Sequence, residues 1–151
     1  MHRQKKGARH GQKRKRRKER KEAKDVLKKL RYLGIKDVIM LTGDSENAAH
    51  TTAELLGIDH YKSQVLPEDK SSVVEEIKAQ GKKVIMVGDG INDSPALSAA
   101  DVSVAMKDSS DLAREVADIT LLRPCLDDLV TMRVISQQML DLIQRNYKYI
   151  L

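Results

Sequence analysis

Gly88-Asp89-Gly90-Ile91-Asn92-Asp93-Ser94-Pro95-Ala96-Leu97 is the stretch that decides how this chain is read. It follows the apolar run Val84-Ile85-Met86-Val87 and opens what reads as a helix. Asp89 and Asp93 stand four residues apart across a glycine-flanked turn. A strand that ends in such a turn carries its carboxylates to the carboxyl edge of a sheet, where α/β proteins bind ligands. Hard oxygen ligands at that edge suit Mg²⁺, which proteins hold through one or two carboxylates together with substrate phosphates. Gly88 and Gly90 are expected to supply backbone angles that other residues resist, and to let a phosphate come close. A solvated turn with helix-capping acids would explain a lone Gly-Asp-Gly; the full string is more specific than that.

The surrounding chain alternates helical and extended patterns. Val26, Leu27, Leu30 and Leu33 fall at helical spacing over 23–33, and Gly34 ends that segment. A strand is expected over 37–41, a helix over 46–56 stopped by Gly57, and a helix from Pro67 to Gln80 stopped by Gly81. Pro67 suits a first helical position, and Glu68 and Asp69 lie in the first turn, where the helix dipole favours acids. The strand 83–87 leads into the glycine turn. A helix over 94–99, a strand over 102–106, a helix over 111–116 and a strand over 119–122 follow. The last segment, 126–149, is helical, with Leu129, Met132, Ile135, Met139, Ile143 and Tyr147 in one stripe. Such alternation predicts an α/β fold, a doubly wound parallel sheet with helices on both faces, followed by a C-terminal amphipathic helix.

Composition agrees with that class. The 151 residues suffice for one domain with a core. Phe and Trp are absent and there are only 4 Tyr, so the core must come from Val, Ile, Leu, Met and Ala, as in a helix-covered parallel sheet. The single cysteine, Cys125, excludes an intrachain disulfide, and the histidines at 2, 10, 50 and 60 show no metal-ligand spacing. Charge is uneven. Residues 1–24 hold 13 Lys/Arg against 2 Asp/Glu, whereas 25–151 hold 15 against 20. The basic character thus belongs to a tail, residues 1–20, which without hydrophobic periodicity is expected to be disordered alone. Three segments follow: 1–20 the basic tail, 21–125 the α/β part, and 126–151 the amphipathic helix. No apolar run reaches the roughly 18 residues of a membrane span, and no apolar stretch follows the basic start as in a signal peptide.

The ten-residue string resembles the hinge motif GDGxNDxPAL of P-type ATPases, within the haloacid-dehalogenase-like superfamily. Met40-Leu41-Thr42-Gly43-Asp44 upstream and Val65-Leu66-Pro67-Glu68-Asp69-Lys70 between fit the same family in the expected order. The heavy-metal-transporting branch is the nearest in flavour, through GDGINDSPAL and the later Ala100-Asp101-Val102-Ser103-Val104-Ala105-Met106. The resemblance runs from about Lys21 to the C-terminus and implies part of a phosphorylation domain.

That resemblance assigns roles. The Thr42 hydroxyl and the Gly43 amide would serve a phosphoryl oxygen, with Asp44 in the same segment. Lys70 would touch the phosphoryl group. Asp89 would be the first Mg²⁺ ligand, with Asp93 grouped beside it as a metal residue. Asn92 and Asp93 would hold the loop and the phosphoryl group in place, and Gly88 and Gly90 would let the phosphate approach. Mg²⁺ and, in the complete enzyme, ATP are the implied cofactors. The family's phosphorylated aspartate lies in a DKTGT segment, and no DKTG occurs in this sequence. The chain is therefore expected to start after the nucleotide-binding insertion, without the first strand and its nucleophile. It would end on the entry to a truncated transmembrane segment at Asn146–Leu151.

The function implied is that of a fragment of a cation-transporting ATPase, inactive alone. The complete enzyme would couple ATP hydrolysis, through an aspartyl-phosphate, to movement of a heavy-metal cation. Its partners would be that cation, the remaining parts of the ATPase and, through helices outside this chain, the membrane. The enzyme would sit in the membrane with this part on the cytoplasmic face; the chain alone would be cytoplasmic. Two rivals stand beside it. A stand-alone phosphatase of the same superfamily needs a nucleophile. A polyanion-binding protein would act through the basic tail, with salt-sensitive binding and no specific nucleic acid.

Overall fold

The computed structural model describes residues 21–123 and 125–150. The basic tail 1–20 lies outside them, as do Pro124 and Leu151. In chain order the elements are α1 (21–32), β1 (Ile39–Leu41), α2 (Glu46–Leu56), β2 (His60–Lys62), α3 (Pro67–Ala79), β3 (Ile85–Gly88), a 3₁₀ turn (Ile91–Asp93), α4 (Ser94–Ala99), β4 (Val102–Ala105), α5 (Asp111–Val116), β5 (Ile119–Thr120) and α6 (Asp127–Ile150). The α1, α2 and α3 segments each run out into a glycine with positive φ: Gly34 at 91°, Gly57 at 69° and Gly81 at 78°. A residue with a Cβ resists that conformation, which is why the chain turns there. Pro67 stands at the start of α3 with Glu68 and Asp69 in its first turn. Ser110 caps α5 by accepting from the Ala113 N–H at 3.2 Å.

The strands form two sheets. One has three strands in the order β3-β4-β5, both pairs parallel; the other has two, β1 and β2. In the larger sheet Ile85, Met86, Val87 and Gly88 face Val102, Ser103, Val104 and Ala105, and Val104 and Ala105 face Ile119 and Thr120. The α/β class with parallel strands and a C-terminal helix is thus as expected, but the sheet is not continuous: among the described residues β1 pairs with β2 and not with β3. β2 itself was not anticipated. His60-Tyr61-Lys62 has no apolar alternation, and it is held by its partner, not by its pattern. β1, β4 and β5 are shorter than the strands expected over 37–41, 102–106 and 119–122, and β3 is shifted, starting later than 83 and reaching Gly88.

The chain divides into two compact units. In the unit of Met40–His50 and Tyr61–Cys125, α4 packs on α3, β3, β4 and α5. Its buried apolar side chains are Ala49, Val73, Val74, Ala96, Leu97, Val104, Ala105, Ala113 and Leu121, an aliphatic core as the composition requires. Ser103 is the polar exception in mid-strand. Its hydroxyl donates to Asp118 Oδ2 at 2.8 Å and accepts from the Asp118 N–H at 3.0 Å. In the other unit, Val26 of α1 and Leu129 of α6 are buried. Lys29 meets Asp127 at 2.8 Å, and Arg133 Nε donates to the Leu33 carbonyl at 3.1 Å. Beyond Leu129 the stripe of α6 emerges: Ile135 is 58% exposed and Tyr147 68%. No described helix is long and apolar enough to cross a membrane.

Three carboxylates outside the glycine turn are held below their ordinary range by hydrogen bonds that the charged form accepts. Asp101 accepts from the Val84 N–H at 2.9 Å and from Lys83 at 2.9 Å. Asp118 accepts the Ser103 N–H and hydroxyl. Glu46 accepts from the hydroxyls of Ser63 and Tyr61. A depressed carboxyl stabilises the fold above its unfolded pKa, and that contribution is lost as pH falls through the folded value. The melting temperature is therefore expected to hold near neutrality and to drop on acidification below about pH 4.5. Asp118→Asn should flatten that acid limb in a thermal scan across pH; an identical limb would show that these bonds do not govern it.

Candidate functional site

β3 ends at Gly88, and the chain turns through Asp89 and Gly90 into the 3₁₀ turn and α4. The Asp93 N–H donates to the Gly90 carbonyl at 3.1 Å, closing the turn. Asp93 is buried beneath it. Its Oδ1 lies 2.6 Å from Lys70 Nζ, and its Oδ2 accepts from the Asp89 N–H at 3.2 Å. Both partners of the ion pair are shielded, Lys70 with 15% and Asp93 with 11% of the side chain exposed. Lys70 reaches it from the first half of α3, as the Leu-Pro-Glu-Asp entry to that helix sets it one turn in. Asp89, by contrast, is exposed.

The glycines act differently from expectation. Neither Gly88 nor Gly90 has positive φ, so neither is there for backbone freedom. What Gly88 supplies is space: a Cβ on it would lie 2.8 Å from Asp93 Cβ and 3.1 Å from Oδ2. Such a contact is far inside the ordinary separation of non-bonded carbons, about 3.5–4.0 Å. At Gly90 an added Cβ would meet nothing nearer than Asn92 N at 3.9 Å.

Thr42, Gly43 and Asp44 form a second turn, directly after β1. The Asp44 N–H donates to Thr42 Oγ1 at 3.1 Å, so the hydroxyl proton is left to point elsewhere. Two bonds bind this turn to the segment before α3: Gln64 N–H to the Asp44 carbonyl and Val65 N–H to the Thr42 carbonyl, each 3.0 Å. All the expected site residues fall in the same compact unit. Lys70, Gly88, Asp89 and Asp93 are brought into one bonded cluster; Asn92 is exposed in its turn, and Thr42–Asp44 stand in their own.

Two residues were not singled out from the sequence. Gln64 has φ 52°, a left-handed conformation for a residue with a side chain, and its N–H fastens the Thr42 turn. Nothing in the residue type signals this. Ser94, first in α4, buries its Oγ without a hydrogen-bond partner among the described residues. No group of three or more His, Cys, Asp or Glu among the described residues could hold a metal ion. The chemistry of Asp89 is compatible with Mg²⁺ nonetheless: an exposed carboxylate at a strand end is the kind of group through which proteins hold that cation, its remaining ligands being waters and phosphates.

The sequence matches the haloacid dehalogenase-like hydrolase family over residues 8–101. It is 45% identical over 124 residues to a zinc-exporting P-type ATPase of Mycobacterium marinum, covering 82% of this chain and 17% of that protein. It is 44% identical over 122 residues to a probable copper-importing P-type ATPase A of Enterococcus hirae, with 80% and 17% covered. The chain thus spans about a sixth of the length of these relatives. Among solved structures, a zinc-transporting PIB-type ATPase superposes with TM-score 0.76 at 37% identity, over 82% of this chain and 20% of that one. The catalytic domain of the CPx-ATPase CopB-B superposes with TM-score 0.68 at 41% identity, covering 74% and 44%. A 3-deoxy-D-manno-octulosonate 8-phosphate phosphatase of Moraxella catarrhalis, 19% identical with TM-score 0.65, shares the fold alone. The chain belongs to the haloacid dehalogenase-like hydrolase family and is homologous to the catalytic domain of heavy-metal P-type ATPases.

Proposed function

We propose that this chain supplies the cation- and phosphate-handling half of the phosphorylation domain of a heavy-metal-transporting P-type ATPase. The complete enzyme would hydrolyse ATP through an aspartyl-phosphate and move a metal cation across a membrane, with the remaining domains as this chain's partners. The observation that carries the reading is the bonded cluster at the end of β3, where Asp93 fixes the Lys70 ammonium and leaves the Asp89 carboxylate exposed. Asp89 is proposed to meet Mg²⁺ directly, with Asp93, the second carboxylate of the turn, held on Lys70 beside it. Mg²⁺ bound there would neutralise charge on the oxygens of a transferring phosphoryl group. Lys70 and the Thr42 hydroxyl with the Gly43 amide are proposed to bind and orient those oxygens, Asn92 to hold the turn, and Gly90 to keep the approach open. Positioned donors of this kind are what phosphoryl transfer chiefly requires. The attacking carboxylate has no counterpart in the motifs of this sequence, so the chain alone is proposed to be inactive.

A chimera tests this. Residues 21–150 replace the matching segment of the intact M. marinum relative, and metal-stimulated ATP hydrolysis is measured in membranes. Turnover within about tenfold of the parent is expected, and Lys70→Met in the chimera should lower it by about 10²-fold, the size of losing one positioned donor. A chimera that inserts and folds without turnover, or one indifferent to Lys70, would overturn the reading.

A further inference from the structure

Glu46 opens α2, just beyond the Thr42–Asp44 turn, and both oxygens of its carboxylate are taken. Oε1 accepts the Tyr61 hydroxyl at 2.7 Å and Oε2 accepts the Ser63 hydroxyl. Hydrogen bonds to a carboxylate are the stronger kind. Both donors lie on the segment that leaves β2 for α3. Alternate side chains of an extended segment point to opposite sides, so Tyr61 and Ser63 meet α2 while Lys62 between them reaches Glu76 of α3 at 3.0 Å. That second contact is an exposed ion pair, of a sort that holds little.

Residues 61–65 also hold the Thr42 turn by its backbone. The Lys62 carbonyl accepts the Thr42 N–H, the Val65 N–H donates to the Thr42 carbonyl, and the Gln64 N–H donates to the Asp44 carbonyl, each at 3.0 Å. Both backbone groups of Thr42 therefore follow this strap. Gln64 takes its place in it only at φ 52°, a conformation that a residue with a Cβ adopts at a cost. A strap with an unfavourable residue in it needs fastening, and the bonds to Glu46 fasten the residues just before Gln64.

Resting on the function proposed above, we infer that Glu46 is a positioning residue for phosphate binding. By holding Tyr61 and Ser63 it keeps the strap in place, and through the strap the Thr42 hydroxyl and the Gly43 amide. The sign of its effect separates this role from a mere local charge. A carboxylate near an anion site repels the anion, so its removal would tighten phosphate binding if charge were all that mattered. A positioning carboxylate does the reverse: its removal weakens binding.

The test uses the full chain, ¹⁵N-labelled. Hydrogen exchange at Gln64 and Val65 is measured without ligand, and the Gly43 amide is followed by NMR during titration with inorganic phosphate. Glu46→Ala is expected to speed exchange at both amides by about tenfold and to weaken phosphate binding by about fivefold, the scale of one lost hydrogen bond. Tyr61→Phe/Ser63→Ala, which keeps the Glu46 charge and removes its donors, should act in the same direction in both measurements. Unchanged exchange in Glu46→Ala, or phosphate bound as tightly or more tightly by either variant than by the unaltered chain, would overturn the positioning role and leave the proposed function standing. An unaltered chain whose Gly43 amide ignores phosphate would overturn the phosphate reading of the Thr42 turn, and this inference with it.

Discussion

Asp93→Ala is expected to lower unfolding stability by about 3 kcal/mol, measured by urea denaturation. The substitution strands the Lys70 ammonium, which has only 15% of its side chain exposed, and removes the acceptor of the Asp89 N–H. Breaking a shielded pair from one side costs more than the pair itself is worth, because the surviving charge stays desolvated. The residual exposure of Lys70 lets it relax toward water, which holds the expectation at the low end of that range. Lys70→Met/Asp93→Asn removes both charges and should cost about 1 kcal/mol, so the two single losses should not add. A midpoint for Asp93→Ala indistinguishable from the unaltered chain would show that the pair does not hold the turn.

Gly88→Ala is expected to cost about 2 kcal/mol, the usual penalty of overpacking a filled site. The backbone at Gly88 is one that alanine adopts freely, so on conformational entropy alone the exchange would be mildly stabilising. The new methyl, however, would stand 2.8 Å from Asp93 Cβ, and relief requires Asp93 to leave Lys70 or Gly88 to leave its pairing with Ala105. Gly90→Ala is the control. It meets no atom closer than 3.9 Å and should change stability by less than about 0.5 kcal/mol. Equal effects at the two glycines would refute a role for space at Gly88. The same pair of variants tests the site: Gly88→Ala should release the Asp93 contact to the Asp89 amide, and Gly90→Ala should preserve it.

Much of the local structure was legible because it depends on neighbours in the chain. The bounds of α2, α4 and α5 follow from residues within each segment: Gly57 after Leu56, Pro95 at the head of a short apolar run, and Ser110 before Asp111. The site motifs were legible for the same reason, since Asp89 and Asp93 share one turn whatever the remainder does. The α6 stripe was legible as a pattern, but periodicity reports which residues share a face and not what covers it; only Leu129 of that stripe is buried.

By itself, then, the amino-acid sequence determined the α/β alternation, the helix stops, the aliphatic core composition and the two acids at the end of β3. The tertiary structure alone decided the rest. It divided the strands into two sheets, made a strand of His60–Lys62, and gave Ser103 its reciprocal bonds with Asp118, 15 residues away. Above all it joined Asp93 to Lys70 across 23 residues, and so turned two like carboxylates into one buried anchor and one exposed group. The physical reason is range: turn and helix preferences are set by adjacent residues, whereas desolvation, ion pairing and the room left by a missing Cβ depend on which distant atoms the fold brings together.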